Sequence, residues 1–568
     1  MANWLESADH HLASLLAGWS ILTTILALVI VAFVLYPVLY PDEPDTHPLL
    51  LARQSSVSPI RNKGESAVYR SPEVPHGYPL KSGLNVKGPG APRWAAGKDG
   101  DVRDIWREVL KGGSKGEEGK DIAKGSIMTI MGREELIDHS LEELTKEINV
   151  LGKHFKDTGV RKVAIYLPNS VDYLTTIFAC AFYGLTPVLL PYNQPHPKVY
   201  DLINATDADG LVCAAGSLPL DDLANSCQGL HLLTWMVEKT SRHMDWNGVP
   251  DAAANRLKVN VWHDVVEENK STTAASLPVD DAAAKPADLI TVWQGADAQS
   301  KPDIVTFTQA NIVAATAALI SALPLRQRFT PSDLVLPADS FTHTYVLCQT
   351  FAALYTHASL AINSVAGSGV DLHLASRSVS PTVVIASAET MAAMHEKESK
   401  NVTSIPQKLS KYTSNRSLAA GRMPTDSTII KLLGPASNAI GNEPGRLRLI
   451  LVSERVGAGT PALSSAQLSD LRIAIRSRIV YALTAAKVAG AVAQTGVFDY
   501  RREERGAYSH FGIPVSAVEV KLVGGEEEEL GSAQPKGEIV VTGPAVAGGE
   551  VRLGAKGRIR EDTTLAYV

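Results

Sequence analysis

The sequence predicts an α/β body of parallel-sheet subdomains, closed by a small late β-subdomain and preceded by one transmembrane helix. Three observations carry that expectation. The run from Leu12 to Pro41 holds no Asp, Glu, Lys or Arg. Beyond it, short apolar strands alternate with helical segments, the pattern of βαβ units whose sheet is covered on both faces. Near the C-terminus, two segments switch to apolar/polar alternation at period two, the mark of antiparallel strands. At 568 residues the chain exceeds one ordinary core, which implies several domains or subdomains. The expected organisation is a tail over 1–15, the anchor helix over 16–40, a Pro/Ser/Gly-rich linker over 41–100, the α/β body over 101–505 and the late β-subdomain over 506–568.

The apolar heart of the anchor is Gly18 to Tyr40. As a helix it would reach roughly 34 Å, against about 30 Å of hydrocarbon. Trp19 near one end and Tyr36 and Tyr40 near the other suit the interfacial aromatic belt. A cleaved signal peptide would need a basic start and a shorter core, whereas Glu6 and Asp9 precede this run. Lys and Arg are absent before the run, while Arg53, Arg61 and Lys63 follow it, so the body is expected to face the cytosol. The length of the span with few flanking cations favours the endoplasmic reticulum over the mitochondrial outer membrane. The sequons at Asn204, Asn269, Asn401 and Asn415 would matter only in a lumenal body. The expected partners are thus the lipid bilayer, through residues 16–40, and an acyl chain or a protein. A net charge of −6 without a basic, aromatic-interleaved stripe excludes a nucleic-acid reader.

In the body, Ser140 and Glu143 read as a capping box opening a helix that Gly159 closes. A strand over Val163 to Leu167, an apolar helix ending at Gly184, the strand TPVLLPYN, the helix HPKVYDLINATDAD and the strand GLVCAA follow. The alternation resumes with buried strands at 382–387 and 447–453, then a serine-capped helix in SSAQLSDLRIAIRS. Residues 396–446, with Lys400, Lys408, Lys411, Arg416, Arg422 and Lys431, read as a long solvated loop, with contact to anionic headgroups as the alternative. VSAVEVKLVGG and KGEIVVTGP read as antiparallel strands around a glutamate-rich tip. Cys180, Cys213, Cys227 and Cys348 form no C-x-x-C pair and read as buried free thiols, so no metal site is expected from them.

That order of segments, with the stretches VAIYLPNSVDYLTTIFACAFYGLTPVLLPYN, PTVVIASAETMAAMHEKE, YALTAAKVAG, HFGIPVSAVEVKLV and GEIVVTGPAV, resembles the large N-terminal domain of the adenylate-forming enzymes, above all the long-chain acyl-CoA synthetases. The resemblance implies the adenylate-forming large-domain fold. It also implies a chemistry in which ATP and magnesium activate a carboxylic acid to an acyl adenylate, whose acyl group passes to a thiol.

Three departures from the family pattern bear on that chemistry. The phosphate loop, roughly T-S-G-T-T-G-x-P-K-G in the family, reads GADAQSKPDI here, with Pro302 and Asn311 in register. Its inner glycines and threonines become Asp297, Ala298, Gln299 and Ser300, and its lysine becomes Asp303. At about 4 Å and an effective dielectric near 20, replacing a cation by a carboxylate turns roughly 4 kcal/mol of attraction into repulsion. The Y-G-x-T-E motif reads Tyr481 to Ala485, which keeps Tyr481 and Thr484 but puts a methyl group where magnesium needs a carboxylate. The adenine-side stretch reads Ser453, Glu454, Arg455, whose long side chains should crowd the purine slot. Asp562 stands as the remnant of the T-G-D motif, and the family's C-terminal lid domain is expected to be absent.

The resemblance therefore implies a vestigial nucleotide site at Tyr481, Thr484 and Asp562, with no catalytic residue, no metal ligand and no cofactor expected. The expected function is that of a membrane-tethered pseudoenzyme, a binding or scaffolding module in lipid metabolism. The alternative is a divergent, active long-chain fatty acid–CoA ligase, which would need ATP and magnesium. His343, His357 and His373 read as ordinary polar or core histidines. The absence of G-x-S-x-G and H-E-x-x-H motifs leaves hydrolase and metalloprotease readings without support.

Overall fold

The computed structural model describes residues 20–39, 43–87, 95–114, 121–131, 135–237, 256–269, 276–278, 286–296, 301–399, 405–424, 440–443, 445–502 and 508–568, with the side chains of 33–39 and 405–406 excepted. The chain divides into two units, Met1–His47 and Pro48–Val568.

In the first unit a helix spans Ile21–Leu39. Ile21, Leu22, Ile25, Leu26 and Leu28 on it are exposed. Residues 16–19 and 40 of the span expected over 16–40 lie outside the described residues, and among the described residues no helix is long and apolar enough to cross a membrane. The tail expected over 1–15 lies outside the described residues.

The second unit carries three sheets. The seven-stranded sheet runs in the order Asp303–Phe307, Leu289–Trp293, Thr186–Leu189, Lys162–Tyr166, Gly210–Ala214, Leu232–Met236 and Lys258–Val261. All its pairs are parallel except the first hairpin, as the alternation of apolar runs and helices requires. The helix Val171–Tyr183 shows how the sequence punctuates this layer. Ser170 accepts a hydrogen bond from the Tyr173 N–H at 3.1 Å to start it, and Gly184, at φ 73°, ends it in the left-handed region where a side chain would be strained.

The nine-stranded sheet positions the site. Its order is Ile513–Pro514, Val488–Gln494, Arg478–Ala485, Leu449–Arg455, Val383–Ser387, Leu334–Pro337, Ser359–Asn363, Ile127–Met131 and Glu135–His139. The central strands are parallel, and antiparallel pairs close both edges. Val383–Ser387 and Leu449–Arg455 are almost wholly buried, which explains why they read as unbroken apolar runs. The helix Thr344–Tyr355 packs on the strands Leu334–Pro337 and Val488–Gln494 and on the helix Gln309–Ala322. All four cysteines are buried.

The six-stranded sheet is antiparallel throughout and contains the late pair Glu519–Val523 and Lys536–Thr542, as the period-two pattern predicts. Three expectations need correction. The linker expected over 41–100 supplies two strands to this sheet, Ser56–Val57 and Tyr69–Arg70, because Tyr69 pairs with Val520 and is buried. The loop expected over 396–446 contains a helix, Ile405–Ala419, held by buried Ser410, Ser414 and Leu418 on one face. Residues 425–439 of that stretch lie outside the described residues. The helix Leu141–Asp157 begins after Ser140 as expected, but Ser140 makes no side-chain cap bond, so the capping box does not form.

Candidate functional site

Parallel strands align their C-terminal ends, and the loops that leave those ends converge, so a crevice there is the usual place for a ligand. The nine-stranded sheet brings five such exits together. His343 follows Leu334–Pro337, Ser368 follows Ser359–Asn363, Glu389 follows Val383–Ser387, Arg455 ends Leu449–Arg455 and Thr484 lies at the end of Arg478–Ala485. A cleft of about 330 Å³ opens beside them, lined by Glu454, Arg455, Gly457, Gly459, Thr460, Pro461, Ala462, Tyr508 and Tyr567.

Glu454 forms the inner wall. Its carboxyl accepts hydrogen bonds from the Tyr481 hydroxyl at 3.0 Å and the Thr460 hydroxyl at 3.1 Å. The Thr484 hydroxyl donates to the Glu454 carbonyl at 2.7 Å. Burial pushes the Glu454 carboxyl up to about 7, against the opposing pull of Tyr481, Thr460 and the Arg455 cation. Tyr481 is fully buried, and its oxygen also accepts from the Leu463 N–H at 2.9 Å. Its ring begins an aromatic ladder through Phe511, with centroids 5.1 Å apart, to Tyr567 at 4.9 Å and on to Tyr508 at 6.2 Å, at the rim.

Arg455 forms the second wall. Its guanidinium donates to His343 Nε2 at 2.7 Å and to the Ser368 hydroxyl at 2.5 Å, and lies 4.0 Å from a Glu389 oxygen. Burial and the adjoining Arg455 cation pull His343 down to about 4, so the ring is neutral at pH 7. Of the sequence-predicted residues, Tyr481 and Thr484 therefore come together on Glu454. Asp562 does not join them. Its carboxylate accepts from Arg501 at 2.6 Å and from the Thr564 hydroxyl at 2.7 Å. Arg501 also holds Asp499 at 2.5 Å, and Gln54 donates to Asp499 at 3.1 Å.

Ala485 ends its strand buried beside a register shift opposite Val488 and Ala493, and offers no ligand to a cation. Asp297, Ala298, Gln299 and Ser300 lie outside the described residues. Asp303 opens a strand opposite Trp293, is exposed, and is not among the residues lining the cleft. The base of the loop docks on the cleft wall, where the Ala296 N–H donates to the Gly457 carbonyl at 2.9 Å. Asn311 caps the helix Gln309–Ala322 with Thr308 and ties it to the Pro544 carbonyl at 2.6 Å. His357 and His373 face Glu108 and Glu398, at 3.5 and 3.8 Å.

Sequence reasoning missed the roles of His343, Ser368, Glu389, Tyr508 and Tyr567 at this site. The signal for His343, Ser368 and Glu389 was available: each follows closely on the C-terminus of an apolar strand. The tyrosines carried none, because long-range backbone bonds beside them bring them in, from the Ser509 N–H to the Leu463 carbonyl and from the Phe511 N–H to the Leu565 carbonyl.

A model of the AMP-binding enzyme family matches residues 128–549. A curated protein of Saccharomyces cerevisiae, the uncharacterized protein YHR045W, is 28% identical over 196 residues. The match covers 33% of this chain and 32% of that protein, about a third of the relative's length. Among solved structures, a long-chain-fatty-acid-CoA ligase (FadD1) of Archaeoglobus fulgidus aligns over 86% of this chain and 86% of its own, at 14% identity and a TM-score of 0.57. The anthranilate CoA ligase AuaEII in complex with anthranoyl-AMP aligns over 85% of this chain and 79% of its own, at 15% identity and a TM-score of 0.57. The N-terminal domain of FACL13 from Mycobacterium tuberculosis aligns over 82% of this chain and 99% of its own, at 12% identity and a TM-score of 0.55. At such identities the likeness is one of fold, and the fold is the adenylate-forming large-domain α/β fold.

Proposed function

The chain belongs to the AMP-binding enzyme family, and from that premise we propose that it is a catalytically silent, acyl-CoA synthetase-like member that works as a binding or scaffolding module at a membrane surface in lipid metabolism. One observation carries this reading. The hydroxyls of Tyr481 and Thr484, the residues kept from the nucleotide-side motif, are both spent on Glu454, and Glu454 and Arg455 line the cleft. The chemistry of phosphate activation argues the same way. Attack of a carboxylate on the α-phosphate of ATP, with pyrophosphate leaving, needs preorganised cations or N–H donors, and removing one such stabiliser typically costs about 10²–10³ in rate. Here the sequence puts Asp303 at the lysine position and Ala485 at the magnesium position, while the Asp562 carboxylate is held by Arg501.

The test is thermal unfolding of the purified full chain with and without ATP and magnesium, followed by an assay for acyl-CoA formation from long-chain acids. The expected result is no stabilisation and no thioester. Stabilisation by ATP with magnesium, or thioester formation above background, would overturn the reading in favour of an active fatty acid–CoA ligase.

The tether is part of the proposal. The uncharged run from Leu12 to Pro41 and the exposed apolar side chains of Ile21, Leu22, Ile25 and Leu26 support it, since such a surface is costly to leave in water. The proposed orientation puts the body in the cytosol, at the endoplasmic reticulum. Membrane fractions should release the chain to detergent and not to high salt or alkali. The four sequons, Asn204, Asn269, Asn401 and Asn415, should remain unglycosylated. Glycosylation at any of them would reverse the orientation.

A further inference from the structure

The second wall of the cleft has more donors than acceptors. A guanidinium has five N–H donors and no acceptor, so in its bond with Arg455 the His343 Nε2 accepts and the ring proton sits on Nδ1. That Nδ1, the Arg455 Nε and the Ser453 hydroxyl are buried without a hydrogen-bond partner among the described residues. Two of the five Arg455 donors go to His343 and Ser368. The carboxylate nearest to its guanidinium among the described residues is Glu389, at 4.0 Å, beyond hydrogen-bond reach. The Glu454 carboxyl is taken up by Tyr481 and Thr460. One orphan acceptor stands against these donors, Asp339 Oδ2, whose partner oxygen lies 4.0 Å from His343 Nε2. Arg455 is thus a largely buried cation that opens on the cleft with N–H groups left for a further acceptor.

We propose that the cleft binds a small organic monocarboxylate, held by the Arg455 guanidinium beside Thr460 and seated under the Tyr508–Tyr567 rim, in the slot that the family resemblance gives to the purine ring. A planar guanidinium matches a planar carboxylate in bidentate geometry. A singly charged ligand is favoured over phosphate, because Glu389 and Glu454 already bring two carboxyls to the surroundings of Arg455. An organic body fits the remaining walls. Tyr508 and Tyr567 offer aromatic surface, and Gly457 and Gly459 line the cleft without side chains. Gly459, at φ 70°, is also fixed by space, since a Cβ there would come within 2.7 Å of Ala296. The inference rests on the reading that no nucleotide occupies this slot, and it assigns the slot a different ligand.

The test is isothermal titration of the full chain in detergent with sodium benzoate, benzamide and inorganic phosphate, with ATP and magnesium titrated into the same preparation. Benzoate is expected to bind at millimolar concentration or better, with benzamide and phosphate at least tenfold weaker. Arg455→Met should weaken benzoate at least tenfold, with Arg455→Lys between the two. If Arg455→Met does not fold, as judged by circular dichroism, the benzoate-to-benzamide ratio in the unaltered chain and in Thr460→Val decides. Equal binding of benzoate and benzamide, tighter binding of phosphate, unchanged affinity in Arg455→Met, or no benzoate binding overturns the inference. Binding of ATP with magnesium sinks the proposed function separately. Absence of both ATP and benzoate binding sinks the carboxylate site alone.

Discussion

Two buried carboxyls close to the same late strands end in opposite electrostatic states. Glu454 lies in the cleft wall with hydroxyl donors from Tyr481 and Thr460, and burial pushes it up to about 7. Asp499 is equally buried, and burial alone would raise it too. The Arg501 guanidinium, His510 and Gln54 instead hold it well below the usual carboxylate range. The difference is one cation in hydrogen-bond contact. Arg501 reaches both Asp499 and Asp562, and the chain ahead of the first strand is fastened to the same place, with Arg501 donating to the Leu51 carbonyl at 3.0 Å and Ser55 donating to the Thr563 carbonyl at 2.6 Å. This chain thus uses the Asp562 region as a structural clasp and keeps its spare polarity at the Glu454–Arg455 cleft.

Removing the shared cation should have the largest effect. Arg501→Met leaves Asp499 and Asp562 without their closest cation, and should cost about 3–5 kcal/mol of stability. Urea unfolding at pH 7 should show it as a lowered midpoint. A loss below about 1 kcal/mol would mean that the clasp contributes little.

The next effect belongs to Glu454 and has a definite sign. Its folded pKa lies above the unfolded value, so between about pH 4.5 and 7 the folded state binds more protons and stability falls as pH rises. Glu454→Gln removes that fall. It should leave stability near the unaltered chain's at pH 4.5 and exceed it by about 3 kcal/mol at pH 8. For Asp499 the sign is reversed. Its contribution is full above the unfolded carboxylate range and is lost as pH falls through the depressed folded value. The buried imidazoles of His343 and His510, both held down to about 4, add stability as pH rises from about 4 to 6.5, so the Glu454 effect is read as the difference between variant and parent. A flat difference between variant and parent from pH 4.5 to 8 would contradict the assignment to Glu454.

How far the sequence revealed this arrangement follows from the physics of each part. The parallel strands were legible because strands buried on both faces are nearly uninterrupted apolar runs, as in Val383–Ser387 and Leu449–Arg455. The helix Ser465–Ile475 was legible because Ser464 and Gln467 form its capping box. The helix Ile405–Ala419 was not, because its buried positions are mostly serines and its charge hides the pattern. The strands Ser56–Val57 and Tyr69–Arg70 were not, because two-residue strands carry no period. At the site, Glu454 and Arg455 were readable as charged residues where the family is small. That Glu454 would take the hydroxyls of both Tyr481 and Thr484 depends on a register spanning two parallel strands, which local sequence does not encode.

The smallest effect tests whether the cleft wall holds together as a unit. Tyr481→Phe keeps the aromatic ladder and removes one hydroxyl, which donates to Glu454 and accepts from the Leu463 N–H. The variant should lose about 1–2 kcal/mol at pH 5, since a buried N–H is left without its partner. At pH 8 the loss should grow, because the ionised Glu454 depends on the tyrosine as a hydrogen-bond donor. Combining Tyr481→Phe with Glu454→Gln separates the two contributions. If the hydroxyl acts mainly through the carboxyl, the pH-dependent part of the loss disappears in the double variant and the part due to Leu463 remains. If it acts only as a partner for Leu463, the loss is the same at both pH values and in both backgrounds. Equal losses would reduce the Glu454–Tyr481 contact to packing, and the contrast with the Asp499–Arg501 clasp would then rest on the cation alone.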